Sequence, residues 1–387
     1  MPSSAQARSV KLYIQPEDGI EPMLEALRKA KKSIHILIFR LDRAEIEKAL
    51  VEAVGRGVAV QALVAFTNRG GEKNLRRFEM RLLERGITVT RTADDLVRYH
   101  GKMFIVDGRE LHLLAFNFTH LDISLSRSFS FAVTDKALVD EALKLFECDS
   151  KRLPYTAGHK DFVVSPINAR EQLTNFIRGA KKQLLMYEMK ISDPEFLKLL
   201  NEKISAGVDV RVIGRATRKA ASLPVRAMPM RLHARAILRD GHDAFLGSQS
   251  LRNLELDARR ELGVIVHDKD VVRRMIEVFD KDWREATPEV PSGDVASLIN
   301  VPAKKVAKSV AKQLRVENRV EQILDRALDK KDDLSIEPKE LAETVRDAVR
   351  EEVHDAVQQA LHDLVASAVA NNGSPQPEEK PAPKNGK

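Results

Sequence analysis

Short apolar runs alternate with amphipathic stretches from the beginning of the chain. Val10–Ile14 reads as a short strand. Glu21–Ala30 puts Met23, Leu24 and Leu27 on one face at helical spacing. Ser33–Phe39 is a continuous apolar strand, Ala44–Val54 a helix that stops at Gly57, and Val58–Val64 the next strand. Strand alternating with helix predicts an α/β fold whose sheet is covered on its faces.

The same order returns from Phe162. Pro16 matches Pro166, Ala30-Lys31-Lys32 matches Ala180-Lys181-Lys182, and Gly57-Val58 matches Gly207-Val208, all 150 residues apart. Further on the separation becomes 133. His100 then matches His233, Lys102 matches Arg235, Asp107 matches Asp240, Asn117 faces Ser250, Ser128 faces Glu261, and Asp135 faces Asp268. The 17-residue difference places a deletion in the second half, between about Arg215 and Arg231. There the first half has a helix, about Glu72–Arg85, and a strand, Ile87–Thr90. So long a period with varied content predicts two similar α/β domains rather than a solenoid. They cover 8–150 and 160–287. Pro288–Pro302 reads as a linker. Residues 303–328 (Val306, Val310, Leu314; basic) and 340–370 (Leu341, Val345, Val349; acidic) predict a C-terminal helical extension over 303–370. Residues 371–387 lack a large apolar side chain and read as disordered.

Composition narrows the partners. The chain has 387 residues and a formal charge of +7, which favours anionic partners: phospholipid head groups, nucleic acid or phosphate esters. A single cysteine, Cys148, excludes an intrachain disulfide and a cysteine-rich zinc site. No signal-like apolar segment and no membrane-length apolar run is visible, so a soluble, cytoplasmic protein is expected. Contact with a membrane would be peripheral.

Candidate chemistry centres on Arg98–Gly108, RYHGKMFIVDG, where His100, Lys102 and Asp107 form the pattern HxKxxxxD. A histidine and a lysine two apart on a strand share a face. They offer a nucleophile or proton carrier beside a fixed positive charge, which suits chemistry on phosphate. Arg231–Gly241, RLHARAILRDG, repeats the spacing with His233, Arg235 and Asp240. Asp107 and Asp240 each precede a glycine. A turn role and a role in the site both stay open for them.

A duplicated HxKxxxxD followed by an Asn or Ser and then a carboxylate resembles the phospholipase D superfamily. The resemblance implies two halves packed about a pseudo-twofold axis, each giving half of one active site. It implies a phosphodiester reaction through a covalent phosphohistidine, with no metal or cofactor. The catalytic set it implies is His100, Lys102, Asp107, His233, Arg235 and Asp240. Asn117, Ser248, Ser250 and Glu261 would contact substrate or orient a histidine. His100 is assigned as the nucleophile and His233 as the general acid. Arg235 departs from the usual Lys, Ser250 from the usual Asn, and Ser128 from the usual first-half carboxylate, so an asymmetric site is expected. The leading expectation is hydrolysis or transfer of phosphatidyl groups. A nucleic-acid phosphodiesterase is the alternative, permitted by Arg215, Arg218, Lys219 and Arg226. A non-catalytic scaffold, whose C-terminal helices mediate self-association or recruit a partner, is the third.

Overall fold

The computed structural model describes residues 9–66, 72–216 and 222–288. The C-terminal extension and tail expected from the sequence, and Arg218 and Lys219, lie outside the described residues.

Two sheets are built on one plan. The first runs Val10–Gln15, Ser126–Val133, Glu110–Leu114, Met103–Val106, Ser33–Ile38, Ala59–Val64, Thr88–Arg91. The second runs Phe162–Val164, Leu262–Val266, Asp243–Gly247, Ala236–Arg239, Gln183–Ile191, Asp209–Ala216, Val225–Ala227, with Thr287–Pro288 added at its edge. Six strands of the second follow the first at the separations seen in the sequence, and Val225–Ala227 takes the place of Thr88–Arg91 beside the equivalent strand. In each sheet three strands pair in parallel, Ser33–Ile38, Ala59–Val64 and Thr88–Arg91 in the first and Gln183–Ile191, Asp209–Ala216 and Val225–Ala227 in the second, and the other pairings are antiparallel.

Three apolar clusters divide the interior. Helices Glu21–Lys29, Ala44–Gly55 and Glu72–Glu84 cover one side of the first sheet. Ala169–Arg178 and Pro194–Ser205 do the same for the second. Between the sheets lies a shared core of Phe129, Phe131, Tyr187, Leu246 and Val264, joined by helices Lys136–Lys151 and Lys269–Glu285. A sheet buried on both faces explains why its strands read as continuous apolar runs rather than alternating ones. Among the described residues no helix is long and apolar enough to cross a membrane.

Two buried ion pairs tie the halves together with the same symmetry. Arg127 holds Asp282 through Nε at 2.8 Å and also donates to the Gln15 carbonyl and to Glu17. Arg260 holds Asp149 at 3.1 Å and donates to the Ser165 carbonyl. Each arginine reaches a carboxylate of the other half.

Candidate active site

Two short cross-repeat ladders assemble the site. Arg98–Tyr99 pairs in parallel with Arg259–Arg260, and Arg231–Leu232 pairs in parallel with Ser126–Arg127. The His100 amide donates to the Arg260 carbonyl at 2.7 Å, and the His233 amide donates to the Arg127 carbonyl at 3.0 Å. Each motif histidine is therefore set by the backbone of the opposite half. His100 and Lys102 lie in the link between Arg98–Tyr99 and Met103–Val106, not within the strand itself. The pairing of their side chains survives because both enter one buried cluster.

Within the cluster, Glu261 Oε2 lies 2.8 Å from His100 Nδ1. Lys102 Nζ sits against the same ring, 2.9 Å from Nε2. On the other side, Asp122 Oδ2 lies 3.1 Å from His233 Nδ1. The carboxylate is held in turn by the Asn117 amide and side-chain nitrogens, both at 2.8 Å, and by Arg231 at 2.7 Å. Arg235 Nε donates to Ser250 Oγ at 3.2 Å. Arg235 Nη1 and Asn117 Oδ1 are buried without a protein hydrogen-bond partner. Ser248 Oγ accepts from the Leu262 amide at 3.0 Å, locking the chain beside Glu261. Thus His100, Lys102, Asn117, His233, Arg235, Ser248, Ser250 and Glu261 come together.

Asp107 and Asp240, expected in the catalytic set, do not join them. Both stand at the far end of their hairpins with positive φ, 54° and 52°. Asp tolerates this conformation better than bulky residues do. Asp107 accepts from the backbone amides of Lys31, Lys32 and Ser33. Asp240 does the same for Lys181, Lys182 and Gln183. These bonds hold each carboxyl below its ordinary range although partial burial pushes the other way. The motif aspartates pin the start of the neighbouring strand and have no contact with the histidines.

Asp122 was missed in the sequence because Ser128 occupies the position matched to Glu261. Ser128 instead donates to the His233 carbonyl at 2.7 Å. The carboxylate comes from the short helix His120–Ser124, capped by Thr119. One signal was present: Asp122 matches Glu255 at the separation of 133 residues, and both are buried acids.

The electrostatics separate the two imidazoles. Burial lowers His100 well below its ordinary value, and the nearby Lys102, Arg235 and His233 deepen the effect. Burial also lowers His233, to about 4, but Asp122 opposes the fall. Asp122 is held well below the carboxylate range: burial raises it, and the nearby His233 and Arg231 overcome that. Burial raises Glu261, with Lys102 opposing. Both imidazoles are thus pushed towards the neutral form, while of their carboxylate partners Asp122 is pushed down and Glu261 up.

Comparisons with known proteins agree with this architecture. The family model for the cardiolipin synthase, PLD-like domain matches residues 23–150 and 173–283, one stretch in each half. Polyphosphate kinase of Pseudomonas aeruginosa is 24% identical over 225 residues, covering 53% of this chain and 32% of that protein. The chain therefore spans about a third of the length of that curated relative. Among solved structures, polyphosphate kinase from Porphyromonas gingivalis aligns with a TM-score of 0.60 at 19% identity, over 71% of this chain and 47% of that one. Phosphatidylserine synthase from Haemophilus influenzae aligns with a TM-score of 0.60 at 11% identity, over 81% and 95%. These two likenesses show a common fold. With the family model matched across both halves, and with the paired histidine motifs meeting in one cluster, the chain belongs to the cardiolipin synthase, PLD-like domain family.

Proposed function

We propose that the chain cleaves or transfers phosphodiesters through a phosphohistidine, and that phosphatidyl groups are its substrates. One observation carries the chemistry: two buried histidines, one from each half, each face a buried carboxylate of the other half through Nδ1. With Nδ1 turned to a carboxylate, Nε2 of each is the atom for chemistry, and at His100 it lies beside Lys102 Nζ, 2.9 Å away. Neutral His100 attacks phosphorus, and the bond to the leaving oxygen breaks as His233 gives that oxygen its proton. Water or an acceptor alcohol then attacks phosphorus, its proton passing to His233, and the bond from phosphorus to His100 breaks to return His100 to the neutral form. Lys102 and Arg235 balance charge on the non-bridging oxygens. An anionic phosphate raises the proton affinity of both imidazoles, and Asp122 directs that gain to His233.

The phosphatidyl reading is supported by the family model and by the fold shared with phosphatidylserine synthase. The sequence match to polyphosphate kinases favours a second reading, in which the same histidine carries phosphate between phosphoanhydrides. A substrate panel in EDTA separates them: mixed anionic and zwitterionic liposomes, single-stranded DNA, and polyphosphate with a nucleoside diphosphate. Head-group release or exchange from liposomes, lost in both His100→Ala and His233→Ala, is the expected result. Turnover of polyphosphate or DNA alone would overturn the phosphatidyl assignment. Activity surviving both substitutions would overturn the mechanism.

A further inference from the structure

The halves differ at four matched positions that meet in space. Lys102, Asn117, Ile38 and Val64 in the first half correspond to Arg235, Ser250, Glu188 and Gly214 in the second. Ile38 is fully buried among apolar side chains, whereas Glu188 brings a carboxylate to the same depth, 2% exposed. It lies on Gln183–Ile191 where the pairing with the next strand shifts register. Its register partner is Gly214, and a Cβ there would lie 1.7 Å from the Glu188 carbonyl oxygen. The two backbones thus approach so closely at Glu188 that only glycine fits on the adjacent strand.

The Glu188 carboxylate accepts from the Leu251 amide at 3.1 Å and from the Lys190 amide at 3.2 Å. Leu251 follows Ser250 directly, so the carboxylate holds the backbone that carries Ser250, and the charge of Arg235 acts on it. Ser250 in turn takes Arg235 Nε. A guanidinium is planar and larger than an ammonium, so it needs its plane fixed before it can present a donor in one direction. Ser for Asn makes room, and Glu supplies the anchor. What remains free is Arg235 Nη1, buried and without a protein partner.

We propose that Glu188 is a positioning residue: by holding the Leu251 amide it sets Ser250, and through Ser250 the Arg235 guanidinium, so that Nη1 meets the phosphate. This rests on the phosphate-transfer reading above. Nothing in the HxKxxxxD pattern marks this residue, because its counterpart in the first half is Ile38.

The test is calorimetric titration of inorganic phosphate into the full chain, with melting temperature followed in parallel. Glu188→Ile, which installs the first-half residue, is expected to weaken phosphate about tenfold, while Glu188→Gln, which keeps one acceptor oxygen for the Leu251 amide, stays within about threefold. In an Arg235→Ala background, Glu188→Ile is expected to change affinity by less than about twofold, since its effect runs through the guanidinium. Equal losses with and without Arg235 would overturn the proposal. Should Glu188→Ile fail to fold, Glu188→Ala replaces it in both backgrounds. It should weaken phosphate when Arg235 is present and not when it is absent, and equal losses would again overturn the proposal. If the double-mutant effects are additive while His100 still becomes phosphorylated, only this inference falls. If no phosphohistidine forms and the wild type binds no phosphate, the functional reading falls with it.

Discussion

Asp122→Asn removes one charge and keeps the shape of the side chain. Asp122 is almost fully buried, 3.1 Å from His233 Nδ1, and anchored by Asn117 and Arg231. Unit charges about 4 Å apart at an effective dielectric near 20 attract by about 4 kcal/mol. Without that attraction protonated His233 is harder to form. The proton-delivery step should slow by about 10²–10³-fold. Arg231 is partly exposed, so losing its partner adds under about 1 kcal/mol to the stability cost. The assay compares two phosphodiesters differing only in leaving group. An alkyl alkoxide needs a proton as it departs, whereas p-nitrophenolate does not. The expected loss is about 10²–10³-fold on the alkyl ester and under about tenfold on the aryl ester. Equal losses on both, or none on the alkyl ester, would refute the assignment of His233 as the acid supported by Asp122.

Other outcomes follow from the same geometry. Asp107→Ala should lower stability by about 1–2 kcal/mol in urea titrations, because three backbone amides lose their acceptor, and should leave kcat within about threefold. Arg127→Ala strands Asp282, whose remaining side-chain partner is the Tyr187 hydroxyl, and should cost about 3–5 kcal/mol by thermal denaturation. Asp243 is pushed up by burial but held at about 2 by bonds from His267, Arg239 and His242. A depressed carboxyl stabilises the fold above its unfolded pKa, and the contribution is lost as pH falls through the folded value. Asp243→Asn should therefore lower the calorimetric melting temperature near neutral pH, with the difference shrinking as pH falls from about 4 towards about 2.

Much of this was legible in the chain. The two constant separations correctly matched strands that later proved to be equivalent places in two sheets. The repeated histidine motif located both halves of the cluster, and the family resemblance pointed to Glu261. Less legible were residues whose roles depend on what the fold brings near them. The motif aspartates looked like chemistry but serve the backbone, because a carboxylate at the end of a hairpin finds the free amides of the neighbouring strand first. Ser128 suggested that one histidine had lost its carboxylate. A five-residue helix carries Asp122 to the same ring from another direction, which no spacing rule anticipates. Glu188 sits inside an apolar strand and reads as an interruption until Arg235 and Ser250 are seen beside it.

The central claim is a covalent bond between phosphorus and His100 Nε2. Brief reaction of the His233→Ala variant with a p-nitrophenyl phosphodiester, followed by alkaline quench and peptide mass spectrometry, reads it directly. The account predicts an acid-labile, base-stable phosphoryl adduct on the peptide containing His100, absent from His100→Ala. An adduct on His233 in the His100→Ala variant, or full turnover by His100→Ala, would contradict it.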